Sequence, residues 1–282
     1  MFDLTFILLM LLNLFINLAL FVLAMVYFFV EARDVTRASR GRVLLVSFLI
    51  FAASVANALV MRYAIVFPKV GDYDLNSSYN LVINIISALI TFFTSILYLR
   101  AGQGLSKKGG LPGSFFLDIE RNSCLQKIDW KLVLLPTPVL VFWSFTWFAL
   151  IPPEPTELAL ASSPEWNSWI VYVYTFFSAS ILAPVTEEIL YRHFAMGLLA
   201  RWFGSSKPAV VINIGITSLI FAMAHAGVVT EDWIKIVQIL PAGFLFGWVN
   251  YKKGVEHAIL SHSVYNTLVI PISSLIEHFF MR

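Results

Sequence analysis

Two adjacent glutamates and an arginine stand inside an apolar run, Leu182 to Phe194, of sequence LAPVTEEILYRHF. A charged side chain at the centre of a spanning helix costs about 2.5–3.5 kcal/mol on insertion scales. Such residues usually face a bundle interior and mark function. Glu188 and Arg192 are four residues apart, so on a helix they share a face and can pair. Glu187 points about 100° away on the same helix and has no partner nearby in sequence. It is therefore the freer carboxylate, suited to general-base chemistry. The alternative is a solvated helix end at a membrane interface, with Arg192 snorkelling.

Two further polar sites follow in apolar surroundings. In FAMAHAG, His225 lies one turn after Phe221; it is either a hydrogen-bonded packing residue or a catalytic one. In HSVYN, His262 and Asn266 are again four residues apart. Their imidazole and amide could donate to a developing oxyanion, or pair between helices. Glu187 and His225 are 38 residues apart, and His225 and His262 are 37. At 1.5 Å per residue each interval is about one crossing out and one back. Residues so spaced can return to similar depths.

The elements that must position these residues are membrane helices. The chain of 282 residues is 59% hydrophobic and only 13% charged, with a mean hydropathy of +0.80. Spans of about 20 apolar residues suit a bilayer crossing, and eight are expected: 4–30, 43–67, 81–99, 132–151, 168–186, 209–226, 234–250 and 258–276. A shorter helical piece, 189–203, has no obvious depth. The fold class expected is all-α, a polytopic transmembrane bundle of about 8–9 helices with one short or re-entrant helix. The first run lacks the basic start and short apolar core of a cleaved signal, so it is read as a retained helix. Asn13 and Asn17 on one of its faces suit packing against neighbouring helices.

Charge in the loops sets orientation. Arg33, Arg37, Arg40 and Arg42 follow the first span, and Arg100, Lys107, Lys108, Arg121, Lys127 and Lys131 follow the third. The N-terminus is thus expected outside the cytoplasm. If 189–203 does not cross, Arg201, Lys207, Lys252 and Lys253 also fall inside; if it crosses, they fall outside. Residues 1–131 carry no motif, and 132–282 form the expected catalytic core. The net charge of +2 gives no argument for nucleic acid, and the single cysteine, Cys124, excludes an internal disulfide framework.

Together the three motifs resemble the CPBP or Abi family, the type II CAAX prenyl endopeptidase-like proteins. These carry EExxxR, FxxxH and HxxxN-type motifs on successive membrane helices. Here they stand as Glu187-Glu188-x-x-x-Arg192, Phe221-x-x-x-His225 and His262-x-x-x-Asn266. His193 departs from the pattern, since many members have glycine after the arginine. The resemblance implies an intramembrane endopeptidase acting within the lipid bilayer on a membrane-embedded or lipid-modified peptide, a prenylated CAAX-type chain being one option. Glu187 would activate water, with His225 sharing or orienting it. His262 and Asn266 would stabilise the oxyanion, and Glu188, Arg192 and Phe221 would support them. The family core has a helix between its first two motifs, which favours nine crossings.

Glu187, His225 and His262 would also make a three-ligand zinc site. Without an HExxH pair on one helix, we favour a metal-free glutamate mechanism, with Zn2+ as the alternative. A non-catalytic membrane immunity or scaffold protein is the second functional reading. A proton-coupled transporter is the third, but no inverted repeat supports it.

Overall fold

The computed structural model describes residues 12, 15, 16, 18–27, 78–115, 117, 128–151, 173, 174, 176–225 and 232–280. The expected span 43–67, Asn13, Asn17 and the basic stretch 33–42 lie outside them. Every regular element among the described residues is helical. They are α1 (Leu18–Tyr27), α2 (Ser78–Lys108), α3 (Trp130–Leu134), α4 (Pro136–Leu150), α5 (Ala183–Glu188), α6 (Met196–Phe203), α7 (Lys207–Met223), α8 (Asp232–Lys253) and α9 (Val255–Phe280). Two π-helical stretches, Ser178–Leu182 and Ile189–Ala195, flank α5. Among the described residues one helix segment, Trp233–Lys253, is long and apolar enough to cross a membrane, while Leu18–Tyr27 and Lys207–Met223 are shorter apolar helices.

Local chemistry explains the boundaries. Gly204 ends α6 with φ +81°, a conformation open to glycine at no steric cost. Ser206 then caps α7, its hydroxyl accepting from the Ala209 N–H at 3.4 Å, and a proline follows in the first turn, where its missing N–H costs nothing. Gly254, at φ +100°, makes the one-residue turn from α8 to α9. Asp129 caps α3 by accepting from the Leu132 N–H.

One expectation needs correction. Residues 189–203 are not a separate crossing. Ile189 has φ −62° and ψ −44°, and Met196 has φ −64° and ψ −37°, so the chain runs helically through 176–203 without turning back. The glutamate pair therefore sits in mid-helix, not at a span's end. α7 then returns antiparallel and brings Phe221 and His225 back towards the pair. The extra crossing inferred to let the motifs meet is not needed.

The same geometry removes the conflict over charge. Gly109 of α2 packs on Ala200 of α6, and Gly110 on Ser205. Tyr251 packs with Leu111 and Val210, and Gly254 approaches Pro112. The ends of α2, α6 and α8 thus gather with the starts of α7 and α9. Lys107, Lys108, Arg201, Lys207, Lys252 and Lys253 all lie at this end of the bundle, the distribution that the positive-inside rule prefers.

α2 packs closely on the second π stretch and on α6. Small residues permit it: a Cβ on Gly102 would come within 2.7 Å of His193, and one on Gly197 within 2.7 Å of Ser106. Close backbone approach through Gly and Ser is a common solution between membrane helices. Around it, Phe21 and Ala24 of α1, Leu97, Ala101 and Leu105 of α2, and Phe194 and Leu198 form one core cluster. A second joins Leu140 of α4 to Phe246 and Val249 of α8 and Tyr265 of α9.

Candidate active site

Glu188 and Arg192 meet as their spacing suggests. Arg192 Nε lies 3.2 Å from Glu188 Oε2, and both side chains are 0% exposed. The contact is ionic rather than an aligned hydrogen bond. The guanidinium also stacks over the Phe221 ring, 4.6 Å from its centroid, a cation–π contact that strengthens with desolvation. A buried pair of this kind is tolerated only where each charge has compensation. Glu188 finds its second partner on α9: His262 Nδ1 donates to Glu188 Oε1 at 2.9 Å.

That bond assigns the tautomer of His262, because a neutral imidazole donating from Nδ1 presents Nε2 as an acceptor. Nε2 points to Glu187, whose Oε2 is 4.0 Å away. Glu187 is 27% exposed, against 5% for the His262 side chain. The span is too long for a direct hydrogen bond and is one that a water can bridge. Phe246 stacks on the His262 imidazole at 4.6 Å and 18°, fixing the plane of the ring.

Phe221 joins the second motif to this group. Its ring lies edge-on to His225 at 4.7 Å and to His262 at 5.9 Å, so it touches both imidazoles. His225 Nδ1 donates back to the Phe221 carbonyl at 2.8 Å, leaving Nε2 as the outward nitrogen. Asn266 Nδ2 donates one hydrogen to the Ala179 carbonyl at 2.8 Å; the amide carries a second. Ala179 belongs to the first π stretch, and such widened turns often accompany functional sites.

The supposed zinc set is not drawn together. Among the described residues no three His, Cys, Asp or Glu side chains gather closely enough to hold a metal ion. Glu187 Oε2 and His262 Nε2 face one another at 4.0 Å, and Phe221 touches the rings of both His225 and His262.

Some contributors carry no motif. Three carbonyls in and just after the second π stretch accept side-chain hydrogen bonds from three different helices. Asn250 of α8 donates to Arg192 O at 3.0 Å, Ser106 of α2 to His193 O at 2.9 Å, and Asn213 of α7 to Met196 O at 2.8 Å. The signal for the two asparagines was a buried amide in an apolar helix. His193 is fully buried, and its Nε2 donates to Leu99 O at 3.2 Å. The bulk of its ring is taken up by Gly102.

No curated protein matches the chain, and no solved structure does. A family model described as "Type II CAAX prenyl endopeptidase Rce1-like" matches residues 168–268, a segment that contains all three motifs. Residues 168–268 are thus similar to a type II CAAX prenyl endopeptidase domain.

Proposed function

We propose that the protein is an intramembrane endopeptidase that hydrolyses a membrane-embedded or lipid-modified peptide with a water activated by Glu187. The observation that carries this reading is the paired geometry at His262: one nitrogen held by Glu188 at 2.9 Å, the other facing Glu187 at 4.0 Å. A water between Glu187 Oε2 and His262 Nε2 is held by two acceptors, both of its hydrogens engaged and its lone pairs left for attack. Glu187 takes one proton as the water oxygen bonds to the substrate carbonyl carbon. The carbonyl π electrons move to oxygen, towards the second amide hydrogen of Asn266. Collapse of this intermediate breaks the C–N bond, and Glu187 returns its proton to the departing nitrogen. Positioned general acid–base transfer of this kind contributes about 10²–10⁴-fold.

The neutral His262 ring orients the water through Nε2, its Nδ1–H being held by Glu188. Arg192 pairs with Glu188 and holds its carboxylate in place. His225, in ring contact with Phe221, offers Nε2 to the water network. A bilayer setting keeps bulk water out and raises the value of each fixed dipole.

The test is to incubate the protein, in liposomes, with membrane-anchored peptides with and without a prenyl group, in ¹⁸O-labelled water. The reading expects two fragments, with label in the new carboxylate of one. Intact peptides throughout, from protein that is folded and monodisperse, would instead favour the scaffold reading.

A further inference from the structure

Arg192 has an odd set of constraints. Its side chain is fully buried, yet neither Nη1 nor Nη2 has a hydrogen-bond partner among the described residues. Only Nε faces Glu188, and the face of Phe221 covers the guanidinium. A guanidinium normally gains its direction from several N–H bonds in a fixed fork. Here the side chain supplies little of that direction, so the backbone from which it starts must supply more.

That backbone lies in the second π stretch, Ile189–Ala195. The widened turn is less well held by its own ladder than an α-helical one. Its Arg192 carbonyl is held from outside, by Asn250 Nδ2 at 3.0 Å. The same nitrogen reaches Met196 Sδ at 3.4 Å, one turn further on. Asn250 is 2% exposed, and its Oδ1 has no hydrogen-bond partner among the described residues. A buried amide with an orphaned oxygen costs stability. A leucine there would avoid that cost, so the amide's donor is the feature the site uses.

We propose that Asn250 is a positioning residue for the catalytic histidine. It fixes the Arg192 carbonyl, hence the path of the Arg192 side chain, hence the Glu188 carboxylate that sets the tautomer of His262. Asn213, with the same amide chemistry on the Met196 carbonyl, holds the segment one turn beyond and does not set that chain. The catalytic part of this inference rests on the peptidase reading; the structural coupling does not.

The experiment compares wild type with Asn250→Ala and Asn213→Ala, each ¹⁵N-labelled at histidine and held in detergent. The His262 Nδ1–H resonance is identified by its loss in His262→Gln. Wild type and Asn213→Ala are expected to show one downfield Nδ1–H signal with the same shift. In Asn250→Ala the signal should move upfield or vanish by exchange, and where cleavage is measured kcat should fall with KM unchanged. If Asn250→Ala fails to fold, Asn250→Ser carries the same comparison. An unchanged signal in the Asn250 variant, equal loss in both variants, or no such signal in wild type overturns the proposal. Failure of the wild type to cleave any peptide, with the signal pattern as expected, counts against the peptidase reading and leaves the coupling established.

Discussion

A Cβ placed on Gly102 of α2 would lie 2.7 Å from His193 Cδ2, and 3.1 Å from the His193 carbonyl oxygen. The two residues are fitted to one another across the interface that carries the second π stretch. Gly102→Ala is expected to destabilise the protein by about 1–3 kcal/mol, the usual cost of overpacking. Pairing it with His193→Ala should recover part of that loss. Thermal unfolding of the three variants in one detergent measures both effects, and strict additivity would contradict the fit.

Glu188 is the only carboxylate in ion-pair contact with Arg192 among the described residues. Glu188→Gln strands a buried cation and is expected to cost about 3–5 kcal/mol. Adding Arg192→Met removes the stranded charge, so the double variant should be more stable than Glu188→Gln alone. A double-mutant cycle from chemical denaturation checks this.

Asp129, outside the expected spans, gives the molecule an acid-sensitive contact. The Leu132 N–H donates to its carboxylate, and Lys253 Nζ lies 3.4 Å away. Together they hold its pKa below the usual 3.8. A carboxyl group lowered in the folded state adds stability that is present above its unfolded pKa and is lost as pH falls through the folded one. Asp129→Asn should therefore lose less stability than wild type as pH drops through 3.8 and below. Melting temperature against pH reads the difference, and parallel curves would contradict it.

Removing metal ions should leave cleavage intact. Among the described residues no three donors gather as a metal site, and in the proposed mechanism Glu187 and His262 hold the water. Activity should survive exhaustive chelation in protein shown by elemental analysis to be free of zinc. Loss on chelation, restored by stoichiometric zinc, would contradict the metal-free reading.

Pairings along one helix were more legible in the sequence than contacts between helices. The Glu188–Arg192 pair follows from helical spacing, because both residues lie on one helix and the period alone brings them together. The Glu188–His262 bond joins residues on different helices, and no local pattern encodes it. Hydropathy divides 168–203 at its charges, since a sliding average cannot know that Glu188 and Arg192 neutralise each other inside the bundle. The helix runs on through two π stretches, and that continuity puts the pair at mid-depth. His193 looks unaccompanied along the chain, yet it is enclosed by Gly102, Ser106 and Leu99 of α2. Small residues in AGQGLSKKGG signal close packing without naming the partner.

Substitution of Glu187 by glutamine tests the central claim most directly, since it keeps the shape and removes the base. Initial rates should be measured on one membrane-anchored peptide, with folding verified by unfolding temperature. The account predicts a fall in kcat of about 10²–10⁴-fold with little change in KM. Cleavage at the wild-type rate by a folded Glu187→Gln protein would contradict it.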